Sequence, residues 1–167
     1  DTARDSQSQR RRPGISSTEP GTGPQYDVNK KYSNEEISDI VSSVAEIKDG
    51  KVVITGNVTD DIRIIARQYV SGGVAKDGRG VLDEYYTDGK IVDAVAALIA
   101  PILPKGRPLR VLEPSVGMGN FISAVPKSNT SKVVTFEINE TTARIAKILH
   151  PEIEVNVRSF ETEFIND

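Results

Sequence analysis

The chain has 167 residues, no cysteine, a single histidine at position 150 and a formal charge of −3 at pH 7. That length suits one domain carrying a flexible arm, and the composition removes disulfide scaffolds, thiol nucleophiles and cysteine zinc sites. No apolar run approaches the roughly 18 residues of a membrane span and no signal peptide opens the chain, so a cytoplasmic protein without a membrane partner is expected.

Residues 1–25 hold Arg10, Arg11 and Arg12, three prolines and three glycines among serines and threonines, with Ile15 as the only large apolar side chain. Such a stretch cannot bury a core and reads as a disordered arm. Ser33 followed by Glu36 forms a capping box, and Ile37, Ile40, Val41, Val44 and Ile47 then recur at helical spacing until Gly50. A short strand over 51–55 follows, and Thr59 with Asp60 and Asp61 opens a second helix whose inner face is Ile62, Ile65, Ala66 and Tyr69. These segments make an N-terminal helical region over 26–80. Beyond a glycine-rich stretch, Tyr85 and Tyr86 precede Thr87, which is placed to cap a helix through Ile91, Val92, Val95, Leu98 and Ile99 that ends near Pro101.

From Leu109 the pattern changes. Strands over 109–113, 133–137 and 153–157 alternate with helices over 120–125 and 141–149, which implies an α/β fold with a parallel sheet. The third strand comes close to the end of the sequence, so the sheet is expected to be partial. A sheet left partial exposes an edge for a protein partner or a C-terminal half to complete.

The stretch that carries chemistry joins the first of these strands to the next helix: Glu113, Pro114, Ser115, Val116, Gly117, Met118, Gly119, Asn120, Phe121. Two glycines let the backbone turn sharply and approach a ligand, and a following helix N-terminus would offer unpaired amide donors. A dinucleotide fold wants a third glycine three residues beyond Gly119, where this chain has Ile122, which counts against a nicotinamide cofactor. What fits is an acid at the end of one strand, Glu113, a Gly-x-Gly turn, and a second acid, Glu137, at the end of the next. There a carboxylate accepts both hydroxyls of a ribose. His150, between a helix and Pro151, reads as a helix C-cap or a solvated surface position rather than a catalytic group, and no dense run of oxygen ligands points to a metal.

These residues resemble the S-adenosylmethionine-dependent DNA adenine-N6 methyltransferases, the large methylases of phage and mobile elements in particular, over residues 80–167. Val111 to Phe121 looks like the family's first motif, Tyr85-Tyr86-Thr87 is similar to a segment that closes over the methionine end of the cofactor, with Asp88 where proline is usual, and Phe136-Glu137-Ile138-Asn139 looks like the second motif. The resemblance implies that Glu137 takes the ribose hydroxyls and Ile138 packs on the adenine. Arg158-Ser159-Phe160 stands where the family has Gly-Asp-Phe, so Ser159 replaces the carboxylate that reads the adenine amino group and Phe160 stacks on its ring. It further implies a Rossmann-like methyltransferase sheet over 81–167 that binds S-adenosylmethionine through Tyr86, Thr87, Glu113, Pro114, Gly117, Gly119, Asn120, Phe121, Glu137, Ile138, Ser159 and Phe160. The family's catalytic motif, Asn or Asp followed by Pro-Pro and an aromatic residue, is absent from this sequence. The expectation is therefore a cofactor-binding fragment, inactive alone, of a bacterial or phage enzyme acting on DNA, with a non-catalytic module of the same fold as the alternative.

Overall fold

The computed structural model describes residues 26–70, 87–127 and 129–164. The arm with Arg10 to Arg12, the glycine-rich stretch, Tyr85, Tyr86 and the boundary expected at residues 80–81 lie outside the described residues.

Helix α1 spans Asn34–Ser42, and both halves of its capping box are made: the Glu36 amide donates to the Ser33 hydroxyl and the Ser33 amide to the Glu36 carboxylate. It ends earlier than the apolar spacing suggests. Ala45–Lys48 is strand β1, so Ile47 belongs to a strand and not to the helix; Ser42 and Ser43 donate their hydroxyls back to carbonyls of the last turn and the chain leaves it there. Asp49 and Gly50, both at positive φ (51° and 70°), form the two-residue turn into β2, Lys51–Ile54. Thr59 caps α2, Asp60–Ala66, as its position next to two acids implies.

Helix α3 spans Gly89–Ile99. Its cap is Asp88, whose carboxylate accepts from the Lys90 amide, rather than Thr87 as expected from sequence. Of its expected inner face, Val92 is buried, whereas Ile91 and Leu98 are 55% and 75% exposed. The strands β3 (Leu109–Glu113), β4 (Thr130–Glu137) and β5 (Glu154–Val157) and the helix α4 (Glu140–Leu149) follow the expected alternation. Between β3 and β4, Asn120–Ala124 forms a short 3-10 helix where an α-helix was expected, because Pro126 stops the segment before an α-helical ladder can build.

The sheet is open, five-stranded and mixed, in the order β1-β2-β5-β4-β3, with β3, β4 and β5 parallel and the β1–β2 hairpin joined to it through β2, which is antiparallel to β5. The hairpin therefore covers the β5 edge, and Val157 donates to the Gly50 carbonyl at 2.7 Å. Register and alternation place Ala45, Val52, Val155, Val133 and Val111 on one face. Helices α1, α2 and α4 cover that face, and their Ile37, Val41, Ile62, Ile65, Ile145 and Ile148 share one core with it. The opposite face carries the charged Glu46, Lys48, Lys51, Lys132 and Glu154 together with Leu112, Val134 and the buried Phe136 and Asn156. Among the described residues no helix is long and apolar enough to cross a membrane.

Candidate functional site

The carboxyl ends of the parallel strands meet in one cleft, lined by Pro114, Ser115, Phe136, Glu137, Ile138, Arg158, Ser159, Phe160 and Glu161. Glu137 is its best-anchored side chain. Buried at the end of β4, it accepts from the Gly117 amide on one carboxylate oxygen (3.1 Å) and from the Asn139 amide on the other (2.8 Å). A single side chain thus fixes the glycine turn and the start of α4, whose cap is Asn139. Ile138, the next residue, turns outward and is 59% exposed at the rim.

The turn itself is stitched to β4, since the Val116 amide donates to the Phe136 carbonyl at 2.9 Å. Gly117 (φ 53°) and Gly119 (φ 90°) both adopt the left-handed backbone that favours glycine. Glu113 bends back on its own loop and accepts from the Ser115 amide at 3.1 Å. Asn120 points the other way and donates from its side-chain amide to the Thr87 carbonyl at 2.9 Å, tying the start of α3 to the turn.

On the opposite wall, the Phe160 ring meets Phe136 edge-on at 5.2 Å between centroids, and the Arg158 guanidinium lies over the Phe136 ring at 5.6 Å. Arg158 also pairs with Glu163, donating at 2.6 Å and 2.8 Å to one oxygen. Ser159 caps the 3-10 helix Phe160–Phe164 by accepting from the Glu161 amide at 3.3 Å.

Of the residues singled out from sequence, Pro114, Glu137, Ile138, Ser159 and Phe160 therefore line one cleft. Gly117 joins it through the Glu137 carboxylate, while Thr87, Glu113, Gly119, Asn120 and Phe121 do not line it. Tyr86 lies outside the described residues. Sequence reasoning did not assign Ser115, Phe136, Arg158 and Glu161 to the site. Phe136 and Arg158 each stand one residue from an assigned position, so strand-end placement was the available signal. Ile122, at the position of a dinucleotide fold's third glycine, is a core residue 3% exposed. No group of three or more potential metal ligands occurs among the described residues.

No family model matches the chain, and no solved structure matches it. A search of curated proteins finds similarity to the Defense against restriction protein B of Escherichia phage P1, 30% identical over 140 residues, which is 83% of this chain and 6% of that protein's length. The chain thus spans a small part of the relative it matches. This overturns the identification with adenine-N6 DNA methyltransferases, both as an inactive enzyme fragment and as a non-catalytic module of that family: the similarity found is to a protein named for defence against restriction and not for methyl transfer. The physical reason lies in the residues that suggested it. Two strand-end acids around a Gly-x-Gly turn suit a nucleoside in many parallel sheets, so they speak to ligand class and carry no information about a reaction.

Proposed function

We propose that the cleft binds the nucleoside part of a phosphate-free ligand, and that the chain is the ligand-binding module of a larger protein serving in defence against restriction. The observation that carries the first part is Glu137, a buried carboxylate locked by two backbone amides at the end of the second parallel strand. That is where a ribose diol is held in open α/β sheets, and the Rossmann-like reading of β3, β4 and β5 belongs to the same proposal. Phe136, Phe160 and Ile138 supply apolar surface for a base.

The charge balance supports a ligand without phosphates. Glu137 and Glu161 line the cleft, and its cation, Arg158, is held by Glu163. A phosphate there would face carboxylates, whereas a neutral or cationic ligand would be welcome. S-adenosylmethionine, with a positive sulfonium and no phosphate, is the proposed ligand. Support for the second part is the relative's name, with the match confined to 6% of its length. DNA and a protein segment completing the sheet are the proposed partners; in support of the latter, β3 ends the sheet as described and its Leu112 is 53% exposed.

Titration calorimetry of the chain with S-adenosylmethionine tests the ligand, with Glu137→Ala as the control and NAD as the competitor. Saturable binding that the substitution abolishes and NAD does not displace is the expected result. A folded chain that takes up neither S-adenosylmethionine nor adenosine overturns the proposal.

A further inference from the structure

The chain's one histidine sits directly behind the glycine turn. A methyl group added to Gly119 would come within 2.5 Å of the His150 Cδ2 atom and 2.8 Å of its Nε2 atom, so the imidazole lies against the Gly119 backbone with no room between. Its own backbone is held on both sides. His150 caps α4 by donating to the Ala146 carbonyl at 2.9 Å, and its carbonyl accepts from Ile153 at 3.2 Å. From Gly119 the contact leads to the cleft in two short steps: the Gly119 amide donates to the Val116 carbonyl at 2.8 Å, and the Gly117 amide between them donates to Glu137.

We propose that His150 is a positioning residue for the cleft: its neutral ring props the turn 116–119 so that the Gly117 amide meets the Glu137 carboxylate, and protonation of the ring loosens that arrangement. This rests on the nucleoside-site reading for its consequence, though not for its structural content. The groups that face the imidazole are Arg67 after α2, Lys127 before β4 and Glu152 ahead of β5. Burial is the largest influence and lowers the pKa below its ordinary 6.5; Lys127 and Arg67 act in the same direction and Glu152 opposes them. The ring is therefore neutral at pH 7, and a proton placed on it in mild acid would be poorly solvated and would face two cations against the single carboxylate of Glu152.

Because there is a single histidine, its titration can be followed without ambiguity. In uniformly 15N-labelled chain taken from about pH 8 to pH 5, the imidazole nitrogens and the amides of Gly117 and Gly119 are expected to shift with one shared midpoint, while Gly106 stays still. In H150Q, which keeps a neutral polar side chain, the glycine shifts should vanish. Affinity for S-adenosylmethionine should fall by about tenfold per pH unit below that midpoint in the natural chain, the limit for one linked proton, and hold steady in H150Q. Glycine amides that ignore the imidazole titration, or that titrate unchanged in H150Q, overturn the proposal. Should H150Q not fold, the titration of the natural chain still decides. Absence of ligand binding with intact glycine shifts would sink the nucleoside reading alone and leave the coupling of His150 to the turn standing.

Discussion

At position 137 one carboxylate holds the end of a strand, a glycine turn and the first turn of a helix. Replacing it by Gln keeps the size but sets an amide NH2 group where one backbone N–H needs an acceptor; Glu137→Gln is expected to cost about 2 kcal/mol, measured by urea unfolding, whereas Ile138→Ala, at an exposed rim position, should stay within about 0.5 kcal/mol. Thr142 presents the opposite case. Its hydroxyl is buried in α4 and makes no hydrogen bond among the described residues, so the nearly isosteric Thr142→Val should stabilise the fold by about 1 kcal/mol, readable as a higher urea midpoint at unchanged slope. Glu137 was legible in the sequence because a strand-end acid at a fixed distance from a glycine turn is a local pattern. Arg158 over Phe136 was not, since that contact joins the ends of two strands that meet only through the sheet register.

Among elements, β5 depends on charge at one end and on backbone pairing at the other. Glu154 bridges Lys51 of β2 and Lys132 of β4 at 3.0 Å and 3.1 Å, and the two lysines hold its pKa down at about 2. A lowered folded pKa stabilises fully above the unfolded value, near 4.5, and that contribution is lost as pH falls towards 2. The gap in urea midpoint between the natural chain and Glu154→Gln should therefore be constant at neutral pH and close between about pH 4.5 and 2. Helix α3 shows how little apolar content says about burial. Leu98→Gln should be neutral to within about 0.5 kcal/mol, and Val92→Ala, at 2% exposure, should cost about 2 kcal/mol, as thermal or urea unfolding would show. The early end of α1 has a related cause. Ile47 continues a helical spacing from Val44 and also alternates with Ala45 on the inner face of a strand, and short apolar runs do not discriminate between the two periods.

Across the whole molecule, the described parts of the N-terminal region and of the α/β region share one core. Ser38 of α1 meets Thr141 of α4 hydroxyl to hydroxyl at 2.8 Å, and Arg144 of α4 donates to the Ala45 carbonyl of β1 at 3.1 Å. A single cooperative unfolding transition is expected, with far-ultraviolet dichroism and tyrosine fluorescence coinciding; two separated transitions would mean that the hairpin and α1 unfold apart from the parallel strands. Among the described residues the helices pack on one face of the sheet, and the other is charged where Lys51, Lys132 and Glu154 meet but buried at Phe136 and Asn156, next to the cleft.

The sequence by itself determined what depends on neighbours along the chain. The caps at Ser33 and Thr59, the strand and helix alternation from Leu109, and the pairing of a glycine turn with a strand-end acid all arise from hydrogen bonds and periodicities within a few residues. Only the tertiary structure decided the insertion of the β1–β2 hairpin beside β5, the aromatic and arginine wall of the cleft, and the seat of His150 against Gly119. Each joins segments far apart in the chain, and their meeting is set by sheet order and core packing, which no local pattern encodes.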